Sequence, residues 1–122
     1  MIRTVQTTRA FETDDGQIEI ALSDLLWVED KQDNGSHSSC LHLDDRSFLC
    51  KCSFEVLLPS LGDDFLLCLP NGAVNLLRIR RFEADTVVLD NGEKLAAIPF
   101  LLQRFHEKYC RELARRVWED EA

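Results

Sequence analysis

Short apolar or alternating runs, separated by turn residues, follow one another along this chain. Gln17-Ile18-Glu19-Ile20 alternates behind the turn signal Asp14-Asp15-Gly16, as a half-buried strand does. Ser23-Asp24 leads into Leu25-Leu26-Trp27-Val28, an apolar run of the length of a buried strand. Lys31 to Ser39 is polar throughout and centred on Asn34-Gly35, so it reads as a hairpin connection. Cys40–Leu43 and Ser47–Cys52 flank Asp44-Asp45-Arg46 and read as a second hairpin. Ser53 is placed to cap a short helix from Phe54 to about Leu61, with Gly62 as its stop. Phe65–Leu69 follows as a buried strand, then Asn71-Gly72 as a turn and Ala73–Ile79 as a further apolar segment. Thr86–Leu89 and Lys94–Ile98 enclose Asp90-Asn91-Gly92, the strongest hairpin signal in the chain.

At Pro99 the period changes. Proline removes a backbone donor, which ends strand pairing and permits a helix to start. Leu101, Leu102, Phe105, Tyr109, Leu113 and Val117 then recur at three- and four-residue spacing, with Arg104, Lys108, Arg111 and Arg115 beside them. The order predicts a mainly β domain of antiparallel sheets and hairpins, with one short internal helix and a C-terminal helix. No stretch alternates strand and helix as a parallel α/β domain would. All 122 residues are expected to form one domain, with a core over about 18–109 and a helical extension over about 100–118.

Composition agrees with a folded protein: 45% of residues are hydrophobic and 30% charged. The N-terminus carries no leader-like apolar segment, and no apolar run could span a bilayer, so a cytoplasmic location is expected. Five cysteines at irregular spacing (Cys40, Cys50, Cys52, Cys68, Cys110) make a poor disulfide framework and fit a reducing compartment. The formal net charge of −8 opposes indiscriminate nucleic-acid binding, but the charge is unevenly spread. Acids crowd the first half. Arg78, Arg80 and Arg81, then Arg104, Lys108, Arg111, Arg115 and Arg116, gather later.

Four segments carry a resemblance. They are Ser23-Asp24-Leu25-Leu26-Trp27-Val28-Glu29, Ser36-His37 with Leu41-His42-Leu43-Asp44-Asp45-Arg46, Phe65–Asn75, and Val87–Ile98. In order and spacing, over roughly Ile18 to Tyr109, they resemble the LytTR family of DNA-binding domains of bacterial response regulators. The resemblance implies an elongated stack of antiparallel sheets whose loops enter successive major grooves, where base edges are distinguishable. It implies double-stranded DNA as partner, a transcription-regulating role, and no cofactor, membrane or small-molecule substrate. The chain would be a stand-alone regulator without the receiver domain such modules often carry.

The departures fall where the family reads DNA. Leu67, Leu69 and Pro70 stand where it usually carries arginine, histidine and a polar residue, and Pro99 where arginine is frequent. Leucine and proline side chains cannot hydrogen-bond a base. Of the base-reading positions His37 is kept, and Arg78, Arg80 and Arg81 are placed to hold phosphates. These losses open an alternative: a module that no longer reads DNA and acts as a protein-interaction or inhibitory subunit, in a homodimer or with a regulatory partner.

Other residues have simpler readings. Asn75, at a strand end, is expected to satisfy nearby backbone groups. Cys50 and Cys52, two apart, face one side of a strand. With Cys40, His42 and Cys68 they suggest zinc or a thiol sensor, but the spacing is not that of a zinc pair, and buried cysteines as small hydrophobes account for them equally. No metal is therefore expected. The basic helix stripe is interleaved with Glu107 and Glu112 and reads as a solvated face. With no Gly-rich phosphate loop, spaced metal cluster or nucleophile motif, no catalytic residue is assigned.

Overall fold

The computed structural model describes residues 7–33, 36–101, 104, 107–111 and 114. The strands are β1 (Thr8–Thr13), β2 (Gly16–Ala21), β3 (Trp27–Asp33), β4 (Ser36–His42) and β5 (Ser47–Cys50), then β6 (Phe65–Leu69), β7 (Gly72–Asn75), β8 (Ile79–Glu83), β9 (Thr86–Leu89) and β10 (Lys94–Ala96). Helix α1 (Phe54–Ser60) sits between β5 and β6. A seven-stranded sheet runs β2-β1-β5-β4-β3-β7-β6, and a three-stranded sheet runs β10-β9-β8, with antiparallel pairing throughout. Among the described residues no helix is long and apolar enough to cross a membrane.

Alternation along the central strands divides the interior in two. Trp27 and Val74 are directly opposed across β3 and β7, and both enter a core with Leu26, Leu69, Val87 and Leu89. Their neighbours Val28 and Ala73 are also opposed, but they point into a second core with Leu25, Leu41, Phe54 and Leu57. Thus α1 covers one face of the large sheet. The small sheet covers the other, with Leu101 and Tyr109 of the C-terminal helix packed against it. Leu25–Val28 reads as a continuous apolar run because both faces are buried.

The expected order of elements holds, with four differences. Strand β1 pairs with β2 over Thr8↔Ala21 to Thr13↔Gly16, so the sheet begins upstream of Ile18. Leu25 and Leu26 precede their strand, following a 3-10 turn at Leu22–Asp24. The polar segment from Lys31 to Ser39 is mostly ladder, paired out to Asp33↔Ser36, with residues 34–35 outside the described set. Backbone pairing carries it there, since its side chains have no apolar alternation to show. Finally, Gly72 belongs to β7 and the turn is Pro70-Asn71. A Cβ on Gly72 would lie 2.6 Å from the Val28 carbonyl oxygen and 3.2 Å from the Trp27 ring, so close strand approach is what requires glycine there.

Helix α1 starts after Ser53, whose hydroxyl makes no capping bond; the Ser53 carbonyl accepts from Leu57 N instead, at 2.9 Å. It ends before Gly62, whose φ of +93° suits glycine. The C-terminal helix begins at Pro99, and residues 99–101, 104, 107–111 and 114 are helical. Leu102, Phe105, Glu112, Leu113, Arg115, Arg116 and Val117 lie outside the described residues.

Candidate nucleic-acid interface

Between β7 and β8 the chain passes from the large sheet to the small one through a 3-10 turn, Leu76–Arg78. Asn75, 1% exposed, fixes that passage. Its Nδ2 donates to Leu25 O at 2.8 Å and Leu22 O at 3.2 Å, while Oδ1 accepts from Leu77 N at 3.0 Å. One side chain therefore ties the turn before β3 to the turn before β8, the architectural role expected of it.

Arg78 sits at the end of this passage. Its Nε donates to Asp90 Oδ2 at 2.7 Å and its Nη2 to Asp44 Oδ1 at 2.8 Å, while Nη1 donates to Ser23 O at 3.0 Å. The guanidinium thereby joins three loops: the turn before β3, the β4–β5 turn and the β9–β10 turn. Hydrogen bonds to Asp90, then to Asp44, hold it protonated beyond its ordinary range, against the opposing effect of burial. Its side chain is 17% exposed, against 50% for Arg81. The two carboxylates leave little of its charge for an external phosphate.

Arg80 and Arg81 face solvent because β8 carries a bulge: Ile79 pairs with Leu89 and Arg81 with Val88, leaving Arg80 as the extra residue. Arg80 Nη2 donates to Asp90 O at 2.9 Å, and Arg81 Nε to Glu83 Oε1 at 2.7 Å. Lys94 lies 3.4 Å from the other Glu83 oxygen. Hydrogen bonds from Arg81, then Lys94, hold the Glu83 carboxyl below its usual range.

His37 is exposed on β4, beside Asp30, Ser53, Phe54 and Glu55, which line a hollow of about 120 Å³. This is the α1 side of the large sheet, whereas the arginines belong to the small sheet covering the other side. The structure brings Arg78, Arg80 and Arg81 together and sets His37 apart from them. A wider hollow of about 550 Å³ is rimmed by Glu19, Asp24, Asp44 and Asp45, with Arg46 as the one cation among its described lining residues, over Ile18 and Phe48, and its net negative charge is unsuited to phosphate.

In the β6–β7 hairpin Leu67 is 50% exposed and Pro70 and Asn71 face solvent. Asn71 Nδ2 donates to Glu29 Oε2 at 3.2 Å, and Glu29 Oε1 lies 3.0 Å from His42 Nε2. The His42 ring stacks on Trp27, with centroids 4.0 Å apart and planes 5° from parallel. Of the basic helix residues, Lys108 Nζ donates to Asp63 O at 2.6 Å, while Arg104 and Arg111 are exposed.

The cysteines are distributed by the sheet. Cys50 lies in the α1-side core and Cys68 in the opposite one, where burial pushes its thiol up to about 12. Cys52 packs against the α1-side core. Cys40 and His42 converge, with Glu29 as their third neighbour, and Cys50, Cys52 and Cys68 are not part of that group. Sequence reasoning grouped Cys40 with His42 but missed Glu29, and it missed the Asp44–Arg78–Asp90 hub. The hub depends on contacts between loops distant in the chain, and Glu29 meets Cys40 and His42 through the pairing register of β3 and β4, which no spacing marks.

The arrangement of sheets and turns is the LytTR-type fold. It is similar to the solved LytTr DNA-binding domain of a protein from Bacillus cereus described as a methyl-accepting/DNA response regulator. The TM-score is 0.67 at 19% sequence identity, covering 84% of this chain and 96% of that one. No protein-family model and no curated protein matches the sequence.

Proposed function

We propose that the protein is a DNA-binding regulator that contacts the duplex through loops of the LytTR-type fold. The observation carrying this reading is the correspondence of fold with a solved LytTr DNA-binding domain over 84% of the chain. His37 reads a base edge, since an imidazole offers a donor and an acceptor. Arg80 and Arg81 hold phosphates and set the register. Arg78 serves the same surface indirectly, by fixing the three loops that present it. Because His37 and the arginines lie on different sides of the large sheet, they engage separate stretches of DNA.

The test is fluorescence anisotropy with duplex DNA over a range of salt. Arg80→Glu combined with Arg81→Glu is expected to weaken binding across all sequences and to lower the salt slope by about 2, as loss of two phosphate contacts does. An unchanged slope would remove the arginines from the interface.

A second reading is supported by β6. It ends one side of its sheet, and Leu67 on it is 50% exposed, so beyond the bond that Cys68 O accepts from Ile98 N it offers an edge with apolar character. A protein-interaction subunit, dimeric or bound to a regulatory partner, would use that edge. Salt-tolerant self-association in sedimentation, abolished by Leu67→Lys, is the result that would favour it.

A further inference from the structure

The side chains of Glu29, Cys40 and His42 form a mixed donor set on one face of the β3–β4 hairpin. Glu29 and Cys40 are directly opposed in the ladder, and His42 is two residues beyond Cys40. Residues so placed share a face, with opposed Cβ atoms about 4.5–5.5 Å apart. One ligand atom from each lies within 4.8 Å of the others. Tetrahedral zinc, with bonds of about 2.0–2.3 Å, needs such atoms about 3.3–3.8 Å apart, so small side-chain adjustments suffice.

We propose that Glu29, Cys40 and His42 bind a zinc ion, with a fourth position open to water. Thiolate, imidazole and carboxylate together match the borderline character of zinc, whereas magnesium and calcium take oxygen donors. The surroundings orient the ligands. Glu29 Oε2 is engaged by Asn71 Nδ2 at 3.2 Å and by Lys31 Nζ at 3.4 Å, which leaves Oε1 turned to His42 Nε2. Stacking on Trp27 fixes the plane of the imidazole. Such outer partners are what hold metal ligands in place. As the zinc–sulfur bond forms, the Cys40 thiol releases its proton to solvent, and the ion takes the place of the His42–Glu29 contact. The site stands whether or not the protein binds DNA.

The experiment is titration of the metal-stripped full chain with Zn2+ against a chromophoric chelator, and with Co2+ followed by absorbance. One equivalent is expected, with a thiolate-to-cobalt charge-transfer band. Cys40→Ser and His42→Gln are each expected to weaken zinc binding by more than about 100-fold, beyond what an outer partner contributes. Asn71→Ala should weaken it about tenfold. The double variant Cys52→Ser with Cys110→Ser should bind as the parent does. Circular dichroism checks that each variant is folded; if Cys40→Ser and His42→Gln are not, Glu29→Gln and the cobalt spectrum of the parent decide. The proposal is overturned if the folded parent takes up no stoichiometric zinc or if cobalt shows no thiolate band. Binding that survives loss of Cys40 or His42, or that Cys52 and Cys110 carry, would overturn it too.

Discussion

At the scale of single residues, the chain places polar side chains where they hold turns together. Asn75 satisfies two carbonyls and one amide inside the protein, so Asn75→Ala leaves buried groups without partners. We expect a loss of about 2–4 kcal/mol in urea unfolding. Gly72→Ala puts a methyl against the Val28 carbonyl oxygen, which is backbone and yields little, and should cost about 1–3 kcal/mol. Glu83 is the residue whose pH behaviour is plainest. Its folded-state pKa is depressed, so its contribution is present above the unfolded value of about 4.3 and lost as pH falls through the lower folded one. Arg81→Gln should move the Glu83 titration back up, as followed by carbonyl NMR shifts. A titration unmoved by this change would place the cause elsewhere. Cys68 works in the opposite direction. Its thiol ionises only near 12 when folded, so its stabilising contribution is intact below about 8.5 and is lost as pH rises towards that value. A thiol reagent at pH 8 should leave it unmodified until the protein unfolds.

At the scale of elements, legibility followed burial and turn chemistry. The β9–β10 hairpin was legible because Asp90-Asn91-Gly92 sits between two apolar runs, and the Pro99 boundary because proline ends pairing. Strand β1 was not, because Thr8–Thr13 buries only Phe11 and Thr13 and carries no continuous apolar run. The hairpin from Lys31 to Ser39 was hidden for a related reason: its ladder is made of backbone bonds, and its sequence carries no apolar alternation. The bulge in β8 was equally invisible, yet it turns Arg80 and Arg81 outward together. At this scale the C-terminal helix is tied to the small sheet by Tyr109, whose ring meets Phe82 edge-on at 5.2 Å. Tyr109→Ala should cost about 1–3 kcal/mol in thermal unfolding, and no loss would mean that the helix is not docked there.

At the scale of the whole molecule, the fold was legible from the order of segments, while the candidate site was legible only in its residue types. Which arginine is exposed depends on where Asp44 and Asp90 come to lie, and these are separated from Arg78 by 34 and 12 positions. In the proposed DNA-binding role, that geometry would shift the burden of contact from Arg78 to Arg80 and Arg81, on a body whose net charge is −8. Local positive charge on an acidic protein makes attraction to DNA short-ranged and strongly salt-dependent. DNA reading by this protein is therefore best tested by selecting duplexes from a random pool at low salt and measuring anisotropy of the recovered sequence at low and physiological salt. Recovery of a repeated short sequence, bound with an affinity that falls steeply with salt and bound more weakly by His37→Ala, is the predicted result. A folded protein that enriches no sequence and binds no duplex even at low salt would contradict the account.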